Sequence, residues 1–520
     1  MFKCLYNFET LIIATADTPF QSTSEPIKPE TPRNYTREMI GTDVDAYMIC
    51  PTAWKRPLWP SKVDPHWQTE ALDVPTKHFT ADLTYQDKAY FRLREFMLAG
   101  NDPVFAAVDE ARKIGVAPFI SYRMNDHHHL YDHESYVHPK FWKENPQFWL
   151  CNSPKADPEK ISLDKSNRFF NYIYDEVRDY YFSLLEELVS SYDVEGVELD
   201  FMRSPHYFVK AELEEGTAVM TEFVLRVKNM LNRYGKERNR DMKLCVRVPH
   251  TMERCREVGL DVERWDKEGI IDMINISPFF ISSPTLDVKS FTDVIKNTPT
   301  YGELHFICEQ GKLFNGFTNN INRRTSKEKL AALAHDFLDR GLSGLSFFNF
   351  DYYRHHYFNE PRRLHIKCPE PPFKALSGIT DTEELKKRNK DYFLNRFFAP
   401  LPQKDELSCE LYVADDVSSA SHKHAILRLE MAAPAVENTV KAYFNGRELE
   451  EILWMGELFM PMGMDALPPL ENLKFYRVPI EIIKHGYNEI KASNMQSYHW
   501  EKSIVYNGVE LALYTDNTII

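Results

Sequence analysis

Residues Val194 to Pro205 read V-E-G-V-E-L-D-F-M-R-S-P, and this run decides how the rest of the chain is understood. Successive side chains of a strand point to opposite faces, so Glu198 and Asp200 share one face and Val197 and Leu199 the other. A long helical pattern precedes the run and Gly196 opens it, as expected of a βα unit. A barrel strand satisfies both observations: Val197 and Leu199 pack outward on helices, and the two acids point into the barrel. Asp200 then lies nearer the carboxyl end, where barrel enzymes keep their chemistry, with Glu198 one layer deeper and supporting it by hydrogen bonds. The competing reading is a surface strand with two solvated acids.

Outward from this run, strand and helix signals alternate. Strands are expected at Thr10–Ala16, Asp45–Cys50, Pro118–Tyr122, Lys243–Val248, Asp272–Ile276, Leu304–Cys308 and Leu345–Phe350, with helices that include Val104–Lys113, Ser166–Val189, Ala218–Leu231 and Lys327–Arg340. Gly115 and Gly341 stop two of those helices. Eight βα units close a (β/α)8 TIM barrel, placed at residues 1–365. Residues 366–404 are bracketed by Pro369-Glu370-Pro371-Pro372 and Pro400-Leu401-Pro402 and read as a linker. Residues 405–520 carry short strands at Ala425–Leu429, Val440–Phe444, Phe475–Val478, Tyr487–Ala492 and Ile504–Leu513, the pattern of an all-β sandwich. Asn445-Gly446 and Asn507-Gly508 read as hairpin turns.

Composition narrows the partners. The 520 residues are 43% hydrophobic and 27% charged, which are globular values. A formal charge of −14 argues against a nucleic-acid groove or an anionic membrane surface. Of the 8 cysteines none forms a C-x-x-C pair, and Cys50, Cys245 and Cys308 fall in apolar runs, so neither a disulfide framework nor a structural zinc is expected. No stretch is long and apolar enough for membrane insertion. Leu11–Ala16 ends in a small-x-small pattern like a signal-cleavage site, which would make the protein periplasmic or secreted. Glu9 interrupts any apolar region before it, so the segment reads as a strand and the chain, as written, as cytoplasmic.

The strand ends bring together an unusual set of polar residues: Arg123, Asn125, Asp126, His127, Asp200, Arg247, His250, Asn275, Glu309, Asn349 and Asp351. A carbohydrate pocket needs such a lining, because each hydroxyl that leaves water must find a partner. Trp54 and Trp59, with Trp67, lie on a long Pro-rich loop after the second strand and would offer flat faces to sugar rings. Glycoside cleavage takes two carboxyl groups, and Asp200 and Glu309, on the fourth and seventh strands, form the expected catalytic pair. Arg247 and Arg123 would hold one acid ionised while an apolar neighbour raises the other. Asp126 and Asp351 compete with Glu309 for the second place. The run His127–His129 invites a metal, but three adjacent histidines cannot all face one ion, and the His-x-His of barrel metallohydrolases is missing from the first strand. No metal or other cofactor is expected.

Tyr174 to Pro205, Y-D-E-V-R-D-Y-Y-F-S-L-L-E-E-L-V-S-S-Y-D-V-E-G-V-E-L-D-F-M-R-S-P, resembles the glycosyl-hydrolase-like TIM-barrel proteins. In these a helix containing E-V-R-D-Y leads into a strand of the form D-G-(I/V)-x-(L/F)-D-(F/Y)-x-R. The resemblance implies a (β/α)8 fold, a carbohydrate substrate and a C-terminal β-sandwich. Asp200 matches the motif's strand-end Asp and Arg203 its trailing Arg, a supporting residue; Glu309 matches nothing in it. The expectation is therefore a glycosidase acting on an oligo- or polysaccharide. Its rivals are a non-catalytic glycan-binding barrel and a metal-dependent hydrolase using the His127–His129 loop.

Overall fold

The structure is a computed structural model that describes residues 1–65, 85–157, 167–312, 320–353, 373–396, 399–418, 422–432, 439–454, 458–459, 470–496 and 503–515. Eight parallel strands close a barrel: β1 (Cys4–Glu9), β2 (Ala46–Cys50), β3 (Ala117–Arg123), β4 (Gly196–Asp200), β5 (Lys243–Pro249), β6 (Met273–Ser277), β7 (Thr300–His305) and β8 (Gly344–Phe348). Helices α1 (Pro103–Lys113), α2 (Asp175–Ser191), α3 (Leu213–Glu237) and α4 (Lys327–Asp339) are the longer ones used below. Val197 and Leu199 are fully buried in the layer between strands and helices, and Glu198 and Asp200 face inward. Burying each aliphatic side chain in that layer contributes roughly 1.5–3 kcal/mol.

The helix before β4 forms for local reasons. Asp175 and Glu176 in its first turn complement the helix dipole, and Val177, Tyr181, Leu184, Leu185, Leu188 and Val189 make a single buried stripe. It begins at Asp175, later than Ser166, because residues 169–171 are extended: Phe170 bridges Trp149 and the Asn171 amide bonds Phe148. Gly196 opens β4 where no side chain fits. A Cβ there would lie 2.0 Å from the Lys243 carbonyl oxygen and 2.7 Å from the Phe119 ring. Gly196→Ala is expected to cost about 3 kcal/mol, as for other overpacked cores, read as a fall in the urea midpoint; an unchanged midpoint would contradict this packing.

Two barrel strands differ from expectation. β1 lies at Cys4–Glu9, because Ile12–Thr15 coils into one helical turn packed back on the barrel. The true first strand alternates as β4 does, with Asn7 and Glu9 inward. β7 runs from Thr300 to His305, four residues before the expected Leu304–Cys308, and its inward acid is Glu303. Ile307–Lys312 leaves the barrel and pairs antiparallel with Asn320–Arg324. Gly302 in β7 is a close approach: a Cβ would meet the Phe337 ring of α4 at 2.4 Å.

The β-sandwich follows. β9 (Lys390–Asn395), β11 (His424–Met431), β13 (Leu473–Val478) and β15 (Val505–Tyr514) belong to one sheet; β10 (Glu406–Val413), β12 (Val440–Phe444) and β14 (Gly486–Asn494) belong to the other. β9 falls inside the expected linker yet pairs along its length with β15, so the sandwich starts earlier than residue 405. Asn445-Gly446 does form the expected turn, both residues having positive φ. Asn507-Gly508 does not: it lies inside β15, where the register against β11 shifts by a bulge. α4 joins the two domains, contributing Ala332 to the sandwich core and pairing Lys329 with Asp391 and His335 with Asp415.

Candidate active site

The barrel floor is apolar, built from Leu5, Ala46, Met48, Phe119, Cys245, Met273 and Tyr301. Above it polar groups take over. Glu198 accepts from Ser121 Oγ (2.6 Å), Asn7 Nδ2 (3.3 Å) and Asn275 Nδ2 (3.2 Å). Burial, and then the charge of Asp200, pushes its carboxyl up. Glu198 thus lies beneath the site, and the expected support of Asp200 by hydrogen bonds is not seen among the described residues: its nitrogen and oxygen partners are Asn7, Ser121 and Asn275.

The next level is organised by Arg247, which is completely buried. Its Nη1 donates to Asp200 Oδ1 (2.8 Å), its Nε and Nη2 form a fork on Glu303 (2.5 and 2.8 Å), and Nη2 also reaches Ser277 Oγ (2.9 Å). The guanidinium lies 3.8 Å from the centroid of the Phe348 ring. Both Glu303 oxygens are occupied, Oε1 also accepting from Ser277 Oγ at 2.6 Å. Burial raises the Glu303 carboxyl, against the pull of Arg247. Asp200 is bonded on one side alone: Oδ1 accepts from Arg247 and from the Met202 amide (2.8 Å), and Oδ2 has no hydrogen-bond partner among the described residues. Its side chain is 2% exposed.

A second ion cluster sits at the ends of β1 and β3. Glu9 Oε2 lies 2.9 Å from Arg123 Nη2, accepts from Asn349 Nδ2 (3.2 Å) and is bonded by the Tyr352 hydroxyl. Burial pushes the Glu9 carboxyl up, but Arg123, Arg203 and the Tyr352 hydroxyl bring it down to about 2. Asp126 accepts from the His128 amide (2.8 Å) and contacts His128 Nδ1 (2.5 Å), with Arg123 and Arg203 each 3.6 Å away. Although burial opposes it, His128 and the cations Arg203 and Lys55 hold Asp126 well below the ordinary carboxylate range. Because the Glu9 carboxyl is lowered from 4.5 to about 2, its pairing stabilises the fold above pH ~4.5 and is lost as pH falls through ~2. Glu9→Gln is expected to cost about 3 kcal/mol at pH 7, with the deficit in urea unfolding narrowing steadily below pH ~4.5. A deficit independent of pH would contradict the ion pair.

His305, at the carboxyl end of β7, is 1% exposed, and neither ring nitrogen has a hydrogen-bond partner among the described residues. Burial, with the charges of Arg247 and Arg203, keeps the imidazole neutral. It stands 4.9 Å from Phe280 and 5.6 Å from Phe348 between ring centroids. Phe280 is half-buried and also carries the Arg203 guanidinium at 5.4 Å. It is aimed there by a strained backbone: Phe279 has φ 76°, and its amide donates to Ser277 Oγ (3.0 Å).

The expected residues distribute unevenly. Asp200, Arg247, Asn275, Arg123, Asp126, Arg203 and Asn349 converge as described. Asp351 is buried in a short helical turn just past β8. His127 bonds Ser204 Oγ (3.2 Å) and stacks on His128, whose Nε2 meets Arg203 Nη2 at 3.0 Å. Asn125 is a structural pin, its amide donating to the carbonyls of Phe170 (3.2 Å) and His206 (2.6 Å). His250 is exposed beyond β5.

Trp54 and Trp59 do not present open faces, being 2% and 1% exposed. Their loop folds back on α2, where Trp59 Nε1 donates to Glu187 (2.9 Å) and both indoles pack edge-on to tyrosines. Trp67 lies outside the described residues. Glu309 is on the antiparallel ribbon after β7 instead of on a barrel strand, and its side chain lies outside the described residues. The residues missed from sequence are Glu9, Ser277, Phe280, Glu303 and His305. The alternation Tyr301-x-Glu303-x-His305 is the signal that could have found the last two.

No protein-family model matches the chain, and no curated protein matches it in sequence. Among solved structures it is similar to α-L-fucosidase isoenzyme 1 from Paenibacillus thiaminolyticus (11% identity, 95% of this chain and 97% of that one, TM-score 0.36). It is similar also to a putative α-L-fucosidase from Bacteroides thetaiotaomicron (10% identity, 100% and 96%, TM-score 0.34). A third similarity is to the PgaB (BpsB) glycoside hydrolase domain from Bordetella bronchiseptica (10% identity, 73% and 99%, TM-score 0.42). Likeness at this level carries no argument about activity.

Proposed function

We propose that the chain is a glycoside hydrolase whose carboxylate chemistry takes place above Arg247 at the carboxyl end of the barrel. The observation that carries this is Asp200: a strand-end carboxylate fixed through one oxygen by a buried guanidinium, with the other oxygen unbonded. An acid so held is oriented to attack or stabilise an anomeric carbon at little reorganisation cost. Glu303 anchors Arg247 and is saturated, so it positions the site and does not react. Phe280 provides the aromatic face, and the neutral His305 imidazole a partner for a sugar hydroxyl.

The second acid must be protonated to assist the leaving oxygen. Arg123 and Arg203 hold the Glu9 carboxyl down, His128 with Arg203 and Lys55 holds Asp126 down, and Glu198 lies a layer below. We assign the general acid to Glu309, on the ribbon that leaves β7. Chromogenic aryl glycosides and oligosaccharides of varied sugar and linkage provide the test. With Glu309→Gln, cleavage of natural linkages is expected to drop by roughly 10²–10⁴-fold, while aryl glycosides with acidic leaving groups retain most of their rate. Equal losses on both substrate classes would remove Glu309 from this role. If the wild-type protein cleaves no glycoside, the hydrolase reading fails.

A further inference from the structure

A cleft of about 290 Å³ opens between barrel and sandwich, away from Asp200. Its barrel wall is Thr285 to Asp287 with Arg340; its sandwich wall is Glu410, Tyr412 and Tyr487. The charges around it are largely satisfied within the protein. Arg340 forms a fork on Asp336 (2.6 and 2.7 Å) and donates to the Leu286 carbonyl (3.3 Å). Lys289 pairs with Asp293, while the Tyr412 hydroxyl (2.6 Å) and His485 (2.8 Å) both meet Asp339.

What remains unsatisfied has a particular chemistry. Tyr487 is 61% exposed and stands edge-on to Tyr412, with ring centroids 5.1 Å apart. Neither its hydroxyl nor the Glu410 carboxylate has a partner among the described residues. An open aromatic face beside an acceptor-rich, uncompensated carboxylate suits a neutral ligand with C–H faces and many hydroxyl donors, and repels anions. Ligand sites also favour domain junctions, and the volume is near the lower end of their range.

The cleft is also connected to the barrel mouth. The segment from Phe279 to Asp287 carries Phe280 at one end and the cleft wall at the other, tied between them by Ser282 Oγ to the His305 carbonyl (2.7 Å). Thr285 is five steps along the chain from Phe280, so the two cannot be more than roughly 18 Å apart along this segment.

We propose that this junction is a second saccharide-binding site, which holds a neutral polysaccharide while the barrel mouth acts on it or on another chain. Native-gel retardation in laminarin, xylan, galactomannan and pullulan reads it directly, with the full-length protein. Tyr487→Ala is expected to weaken retention at least about tenfold and Glu410→Gln to weaken it less. Hydrolysis of a small aryl glycoside should be unchanged in both, which separates this site from the barrel mouth. Retention unaffected by Tyr487→Ala, or no retention in any neutral polysaccharide, would overturn the proposal. So would preferential, salt-sensitive retention in heparin, because it would make the ligand an anion. A protein that is retained through Tyr487 but cleaves nothing would keep this site and lose the hydrolase reading.

Discussion

Asp200→Asn is expected to lower kcat by at least about a thousandfold, roughly 4 kcal/mol of transition-state stabilisation, while saccharide affinity stays within a few-fold. The amide keeps the volume and can still meet Arg247 through its oxygen, so the floor of the site should persist. What disappears is the charge of the unbonded oxygen, on which the proposed chemistry rests. Titration calorimetry on the variant, beside turnover of the best substrate, separates the two effects. A variant that loses binding and turnover together would make Asp200 a binding residue, and one that keeps its rate would move the chemistry elsewhere.

Arg247→Met should have the largest effect on stability. The substitution leaves Asp200 and Glu303 buried without their shared cation, a situation that costs about 3–5 kcal/mol. The sign of its pH dependence follows from Glu303, whose carboxyl is already raised by burial. Without Arg247 it rises further, so the protonated form is favoured in the folded state. The deficit should therefore be smaller near pH 5 than at pH 8, as measured by urea midpoints. Arg247→Lys should fall between wild type and the Met variant, because an ammonium restores charge but cannot reproduce the fork on Glu303. Equal stability of all three proteins would deny Arg247 its organising place.

Much of this arrangement was legible in the linear chain. The alternation in Val197–Asp200 located an inward pair of acids, and the same period with Arg247 and Asn275 located the strands beside it. The misreadings have physical causes. Leu11 to Thr15 is as apolar as a strand but too short to show its helical period, and it masked the real β1 before it. Leu304–Cys308 straddles the end of β7 and the start of the ribbon that leaves it, two extended stretches that run together in sequence. The tryptophans looked like platforms because their loop is polar and Pro-rich; only its return onto α2 buries them. Phe280, the aromatic face of the proposed site, follows a strained non-glycine backbone that no local pattern announces. Asn507-Gly508 has turn chemistry but serves as a bulge, since β11 pairs on both sides of it and β9 pairs up to Gly508.

Product analysis in H₂¹⁸O tests the central claim most directly. Oligosaccharides are incubated with wild-type protein and with Asp200→Asn, and the fragments are weighed by mass spectrometry. Water-driven cleavage at Asp200 predicts one ¹⁸O on each newly formed reducing end with the wild type and no new ends with the variant. Unlabelled or unsaturated fragments, or equal cleavage by both proteins, would contradict it.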